Sequence, residues 1–237
     1  MNTPLISALR RCASSERRAV NMRFFKTGKG HYGEGDTFIG VRVPDCRKVA
    51  STFLDTSLSE LQHSLDSPIH EERLTALIIL VEKYKKAKSE KEQKELVDFY
   101  LKNKARVNNW DLVDASTDKI LGKYLVEKGK KEREILYSLA HSSHLWDRRI
   151  AIVSTFAFIR KDQFRDTFAL CELLLSDKHD LIHKACGWML REVGKRDEPA
   201  LEGFLKKHSK KMPRTMLRYA IERFPEKKRK AYLVGKK

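Results

Sequence analysis

The chain has 237 residues, 41% hydrophobic and 34% charged, which provides a substantial core and excludes a chain disordered throughout. Lys and Arg number 49 against 32 Asp and Glu, so the net charge is +17, the signature of a protein that meets a polyanion. The longest apolar run, Ala76-Leu77-Ile78-Ile79-Leu80-Val81, is too short to span a bilayer, and the four cysteines show no C-x-x-C spacing, so we expect a reduced, cytoplasmic protein without a disulfide framework.

Residues 1–56 read as N-terminal helices and a Gly-rich loop. Leu5, Ile6, Leu9 and Val20 predict an opening helix, and no continuous apolar stretch of a secretory signal precedes them. The Arg-rich, acid-poor start faintly resembles a transit peptide, but an ordinary helix accounts for it. Residues 26–44 form the main irregular segment. Gly28, Gly30 and Gly33 spell G-x-G-x-x-G, yet a dinucleotide site needs a strand before and a helix directly after. The residues before read as helix, and Gly35 and Gly40 prolong the loop. The segment is therefore expected to be a basic loop whose backbone can approach phosphate, or a plain connector.

Residues 57–226 show helical periodicity. Apolar stripes run through Leu58, Leu61 and Leu65, through Leu74, Leu77, Ile78 and Val81, and then through Leu96–Leu101 and Leu112–Tyr124. They continue in Ile135–Leu139, Ile150–Ile159, Phe168–Leu175, Ile182–Val193, Leu201–Leu205 and Met216–Phe224. No stretch of more than four residues alternates as a half-buried strand does, so the chain reads as all-α. Residues 227–237, with Lys227-Lys228-Arg229-Lys230, read as a basic tail that is solvated or touches phosphate.

The helices recur at a regular interval. Arg73, Asp111, Arg148, Lys184 and Arg218 are separated by 38, 37, 36 and 34 residues. Such spacing predicts one α-α superhelix of HEAT-like repeats, a solenoid with a concave face. Three positions after each anchor stand Ala76, Asp114, Ala151, Gly187 and Ile221. Only Asp114 puts a charge where the others are small or apolar, so it is expected to be paired or to face a functional cavity.

Trp110 and Asp114 are four residues apart and share one helical face, an aromatic and an acid in a basic protein. Asn108-Asn109 reads as the helix cap, with Asp111 in the first turn where the helix dipole favours it. Asp114 lies beyond that turn and is the catalytic candidate, against the plainer reading of a buried Asp paired with Arg or Lys. Trp188 follows Gly187, and Trp146 precedes Arg148 and Arg149, whose forks suit phosphate. His141 and His144 lack the further ligands of a recognisable metal site, and no G-x-S-x-G, H-E-x-x-H or Walker motif occurs.

Taken together, Trp110-Asp111-x-x-Asp114, Trp146-x-x-Arg149 and Lys184-Ala185-x-Gly187-Trp188-x-Leu190-Arg191-Glu192 resemble the AlkD family of HEAT-like-repeat DNA glycosylases. Phe38-x-Gly40-Val41-Arg42-x-Pro44 extends the likeness across nearly the whole chain. The resemblance implies base-excision repair of duplex DNA. Cationic 3- and 7-substituted purines would be released by hydrolysis of the N-glycosidic bond, with no metal or organic cofactor.

It also implies that Asp114, Trp110 and Trp188 form the catalytic cluster and that Arg149 contacts the DNA backbone. Arg148, Lys184, Arg191, Lys26 and Arg42 are expected to add DNA contacts. Where some members carry a tyrosine near the backbone, this chain reads Arg23-Phe24-Phe25-Lys26, so Phe24 takes that place without a hydroxyl. A monomer without membrane or obligate protein partner is expected. The rival expectation is a non-catalytic basic solenoid that binds nucleic acid or protein.

Overall fold

The computed structural model describes residues 3–235. Among them all regular elements are helical, and the one β-type pairing is an isolated bridge between Thr37 and Ile69. The all-α expectation holds. Packing divides the chain into two compact units, Met1–Ser116 and Thr117–Lys237.

In the first unit, the Pro4–Arg10 helix starts where Thr3 Oγ1 accepts from the Ile6 amide at 3.2 Å, and it buries Leu5, Ile6 and Leu9. Val20 does not join them. Ser14 caps a separate helix, Ser15–Phe24, which buries none of its residues and leaves Val20 63% exposed. Sequence periodicity could not see that break, because it depends on one serine side chain. The Val43–Thr52 helix begins inside the segment read as irregular: Pro44 sits in its first turn, where a missing N–H leaves no bond unmade.

The centre of this unit is the His70–Lys86 helix, against which Val43–Thr52, Leu58–Leu65, Glu90–Lys102 and Trp110–Ser116 all pack. Its apolar body buries Leu74, Ala76, Leu77, Ile79, Leu80 and Val81. Its first turn is charged yet equally buried: His70, Glu71, Glu72 and Arg73. Glu71 accepts from the backbone amides of Ile39 at 3.0 Å, Gly40 at 2.8 Å and Val41 at 3.3 Å. The end of the Gly-rich loop is thus drawn inward onto a carboxylate, which makes these amides part of a connector and not a phosphate cradle. No strand precedes the glycines, so the dinucleotide reading is excluded on geometry.

The second unit is built on Leu145–Ser154, Asp180–Gly194 and Arg214–Ala220, which pack in succession. A side chain at Gly187 would lie 2.5 Å from both the Met216 carbonyl oxygen and Tyr219 Cβ, so its bareness sets the approach of the last two helices. The basic segment expected as a tail is instead a helix, Glu226–Val234, and its Lys228 bridges to Glu198 at 2.6 Å and to Glu202.

All five anchor positions lie on helices, and Ala76, Ala151, Gly187 and Ile221 are buried while Asp114 is only half-buried. Arg73 and Arg148 each donate to the carbonyl six residues earlier, Ser67 at 2.9 Å and Ser142 at 3.0 Å. The two helix starts therefore share one local device, within separate units.

Gly40 has φ +82°, and an added Cβ would collide with the Ser14 carbonyl and the Arg18 amide. Left-handed strain and overpacking together predict that Gly40→Ala costs about 2–4 kcal/mol. Gly203→Ala, in an open helix interior with nothing within 4 Å, should stabilise by about 0.5–1 kcal/mol. Urea unfolding of both variants checks this; an unchanged midpoint for Gly40→Ala would contradict the packing described.

Candidate active site

The Trp110–Ser116 helix opens on Asn109, whose carbonyl accepts the first helical bond from Val113 at 3.2 Å. Asn109 Oδ1 also accepts from the Trp110 amide at 2.8 Å, a bond to the next residue that takes up one of the helix's free amides. Its Nδ2 turns away from the helix and donates to Asp36 Oδ2 at 3.1 Å. The cap is therefore tied into the core by its second functional group.

Asp111 was expected to complement the helix dipole and free amides of the first turn. The structure gives it a second task. Asp111 Oδ1 accepts from the Leu112 amide at 2.9 Å, and Oδ2 accepts from His70 Nε2 at 2.8 Å. His70 Nδ1 donates to Asp36 Oδ2 at 2.8 Å, and Arg73 Nη2 donates to Asp36 Oδ1 at 2.5 Å. Asp36, His70 and Arg73 are all buried, while Asp111 reaches the edge of solvent. Two carboxylates, one imidazolium and one guanidinium form a neutral set, the condition under which buried charge is tolerable.

Burial pushes the His70 imidazolium toward its neutral form, but hydrogen bonds to Asp111 and Asp36 and their charges outweigh this and raise its pKa to about 9. Burial likewise raises Asp36, yet the hydrogen bond from His70, with the charges of His70 and Arg73, brings it down to about 2. Both groups are charged at neutral pH.

Aromatic rings back the same helix. Phe25 stacks on Trp110 at 5.4 Å and on Phe38 at 4.9 Å, and Phe38 stacks on His70 at 4.5 Å. Phe24 meets the Trp110 ring edge-on at 6.0 Å while remaining 62% exposed. Trp110 is thus fixed on one side by Phe25 and half-exposed on the whole. Asp114, one turn along the same face, is half-buried and engaged in polar interaction.

The other expected residues fall as follows. In the first unit, Lys26 is exposed in the left-handed region at φ 53°, and exposed Arg42 pairs with Asp45 at 2.7 Å. In the second, Trp188 is half-buried, with its ring 5.5 Å from Phe156, over which Arg160 lies at 3.9 Å. Arg149 is buried and donates to the Leu181 carbonyl at 2.7 Å. Arg148 donates to Asp177 at 2.6 Å and to the Ser142 and Ser143 carbonyls, so its guanidinium is committed within the fold. Lys184 pairs with Asp180 at 2.8 Å, and Arg191 pairs with Glu222 and Glu192. Trp146 is buried.

Sequence reasoning missed Asp36, His70 and Arg73 as partners of this helix, and it quoted Phe25 and Phe38 without a role. The separation of His70 from Asp111 gave no local signal, although buried charges in the first turn of an otherwise apolar helix could have prompted the question. Among the described residues, no three His, Cys, Asp or Glu side chains gather as metal ligands, and no helix is long and apolar enough to cross a membrane.

The raised pKa of His70 contributes stability that is fully present below about 6.5 and is lost as pH rises through about 9. The depressed pKa of Asp36 contributes stability present above about 3.8 and lost as pH falls toward 2. We expect His70→Gln to be less stable than wild type by on the order of 2–3 kcal/mol at pH 6, with the gap closing between pH 6.5 and 9. Chemical unfolding across that range checks the sign; a gap that widens with pH would refute a charged His70.

With this geometry in place, comparison with known proteins is informative. No curated protein sequence matches the chain. Among solved structures, a protein from Enterococcus faecalis described as a "predicted DNA alkylation repair enzyme" superposes with a TM-score of 0.71 at 17% identity, covering 90% of this chain and 97% of that one. At that identity the likeness shows a shared fold. A family model described as "DNA alkylation repair enzyme" matches residues 5–224, nearly the full length. The chain belongs to the DNA alkylation repair enzyme family.

Proposed function

We propose that the protein is a DNA glycosylase that releases cationic N-alkylated purines, 3- and 7-substituted, from duplex DNA. The observation that carries this reading is the half-exposed pair Trp110 and Asp114, on one face of a helix whose start is anchored by buried charge and stacked rings. Family membership supplies alkylated DNA as the setting, and the net charge of +17 supplies attraction for phosphate.

N-alkylation turns the purine into a cationic leaving group. As the glycosidic bond breaks, its electron pair returns to the base nitrogen and neutralises the base, while positive charge develops on the sugar. An ionised Asp114 stabilises that oxocarbenium-like charge and orients a water whose oxygen bonds to the anomeric carbon. The proton released from water passes to the carboxylate or to solvent. Trp110 offers a π face to the same charge, an interaction of about 0.5–2 kcal/mol.

In the second unit, Trp188 is assigned the third catalytic place and Arg149 a backbone contact, on the strength of the AlkD resemblance. Lys26, Lys184, Arg191 and Arg42 are assigned to DNA attraction, and Phe24 to an apolar contact in place of a hydroxyl.

Wild type should release 7-methylguanine from duplex DNA in EDTA, and Asp114→Asn should lose at least about 100-fold in rate, as expected when a charge-stabilising group is removed. Duplex affinity should change little. Single-turnover release with a parallel binding titration checks this. Full activity in Asp114→Asn would overturn the assignment, and folded, DNA-binding wild type that releases nothing would favour a non-catalytic solenoid.

A further inference from the structure

The Asp36–His70–Asp111 chain lies outside the reacting set, yet it ends on the helix that carries Trp110 and Asp114. Asp36 is fixed by three donors, from His70, Arg73 and Asn109. His70 is fixed in turn, with its ring stacked on Phe38 at 4.5 Å and tilted against Phe25 at 5.0 Å and both nitrogens bonded. Asp111 uses one oxygen for His70 and the other for the Leu112 amide in the first helical turn. A single carboxylate therefore joins a rigid buried base to the backbone between Trp110 and Asp114. Asp111 needs two acceptor oxygens for this, which an amide cannot supply.

We propose that His70 is a positioning residue for the reaction: through its Nε2 bond to Asp111 it fixes the first turn of the Trp110–Ser116 helix and so the placement of Trp110 and Asp114. This rests on the glycosylase reading for its catalytic consequence, but not for its structural one. Holding reactive groups within a fraction of an ångström is what such outer hydrogen bonds achieve in other sites. His70 is buried and does not itself meet the DNA. The charged groups facing it are Asp36 from the loop and Asp111 from the Trp110–Ser116 helix, with Arg73 of its own helix behind Asp36.

Two isosteric replacements separate this role from general support of the core. Gln at position 70 carries an amide nitrogen near the place of Nε2 and keeps a donor for Asp111. Asn carries one near Nδ1 and keeps a donor for Asp36. Both remove the ring and its charge, so their losses from stacking and neutralisation are shared.

Hydrogen exchange over residues 108–116 of the free, full-length protein should be faster in His70→Asn than in His70→Gln by at least about tenfold. In single-turnover release of 7-methylguanine, His70→Asn should be slower than His70→Gln by about tenfold or more, with duplex Kd equal within about threefold. Equal exchange and equal rates in the two variants, whether both preserved or both lost, would overturn the proposal, as would the reverse order. Should wild type release no base, the exchange experiment still decides the coupling, and only the glycosylase reading falls.

Discussion

The bond between His70 and Asp111 is the constraint on which the candidate site depends. It crosses from the first turn of one helix to the first turn of another, and its partners are charged. Buried ions are expensive unless their charges and hydrogen bonds close, and here they close through Asp36, Arg73 and Asn109. Removing one member leaves its partners' charges uncompensated, a cost that the remaining hydrogen bonds offset only in part. Such a cluster specifies one register between two helices better than apolar packing, which tolerates small slides.

Around that polar knot the rings perform a different task. Stacked contacts run from His70 to Phe38, from Phe38 to Phe25 and from Phe25 to Trp110, linking the core to the half-exposed surface. Aromatic stacking is permissive about lateral shifts, whereas the bonds at Asp111 and Asn109 are not. The two together hold a large ring and an acid at a surface without burying either. The loop that supplies Asp36 and Phe38 is itself tied down by Glu71, so the Gly-rich segment contributes its side chains to the knot and its amides to a carboxylate. The positive φ of Gly40 is the local condition for that path.

Much of this was legible in the sequence, for identifiable reasons. Helical periodicity is a local property, so the apolar stripes from residue 57 onward and the all-α class could be read directly. Asp114 stood out because small or apolar residues occupy the other equivalent positions, and in the structure those four are buried while Asp114 is half-buried. What could not be read depends on single side chains or on distance along the chain. Ser14 splits the N-terminal helix, Lys228 fastens the last one, and Pro44 begins a helix where it was expected to close a loop. Asp111 resembled a helix-dipole residue because His70, 41 positions earlier, leaves no mark near it. Arg148 suited phosphate by type and spacing, and only the fold reveals that Asp177 and two carbonyls engage it.

On the proposed glycosylase reading, the half-exposed Trp110 and Asp114 stabilise charge on the sugar, and selectivity arises from the lesion's own positive charge. The most direct test is the rate at which wild type releases 7-methylguanine and uracil from otherwise identical duplexes in EDTA. Ready release of 7-methylguanine is expected, and essentially none of uracil, whose departure lacks a cationic leaving group. Comparable rates for the two would contradict it and would require a group that recognises or protonates the neutral base.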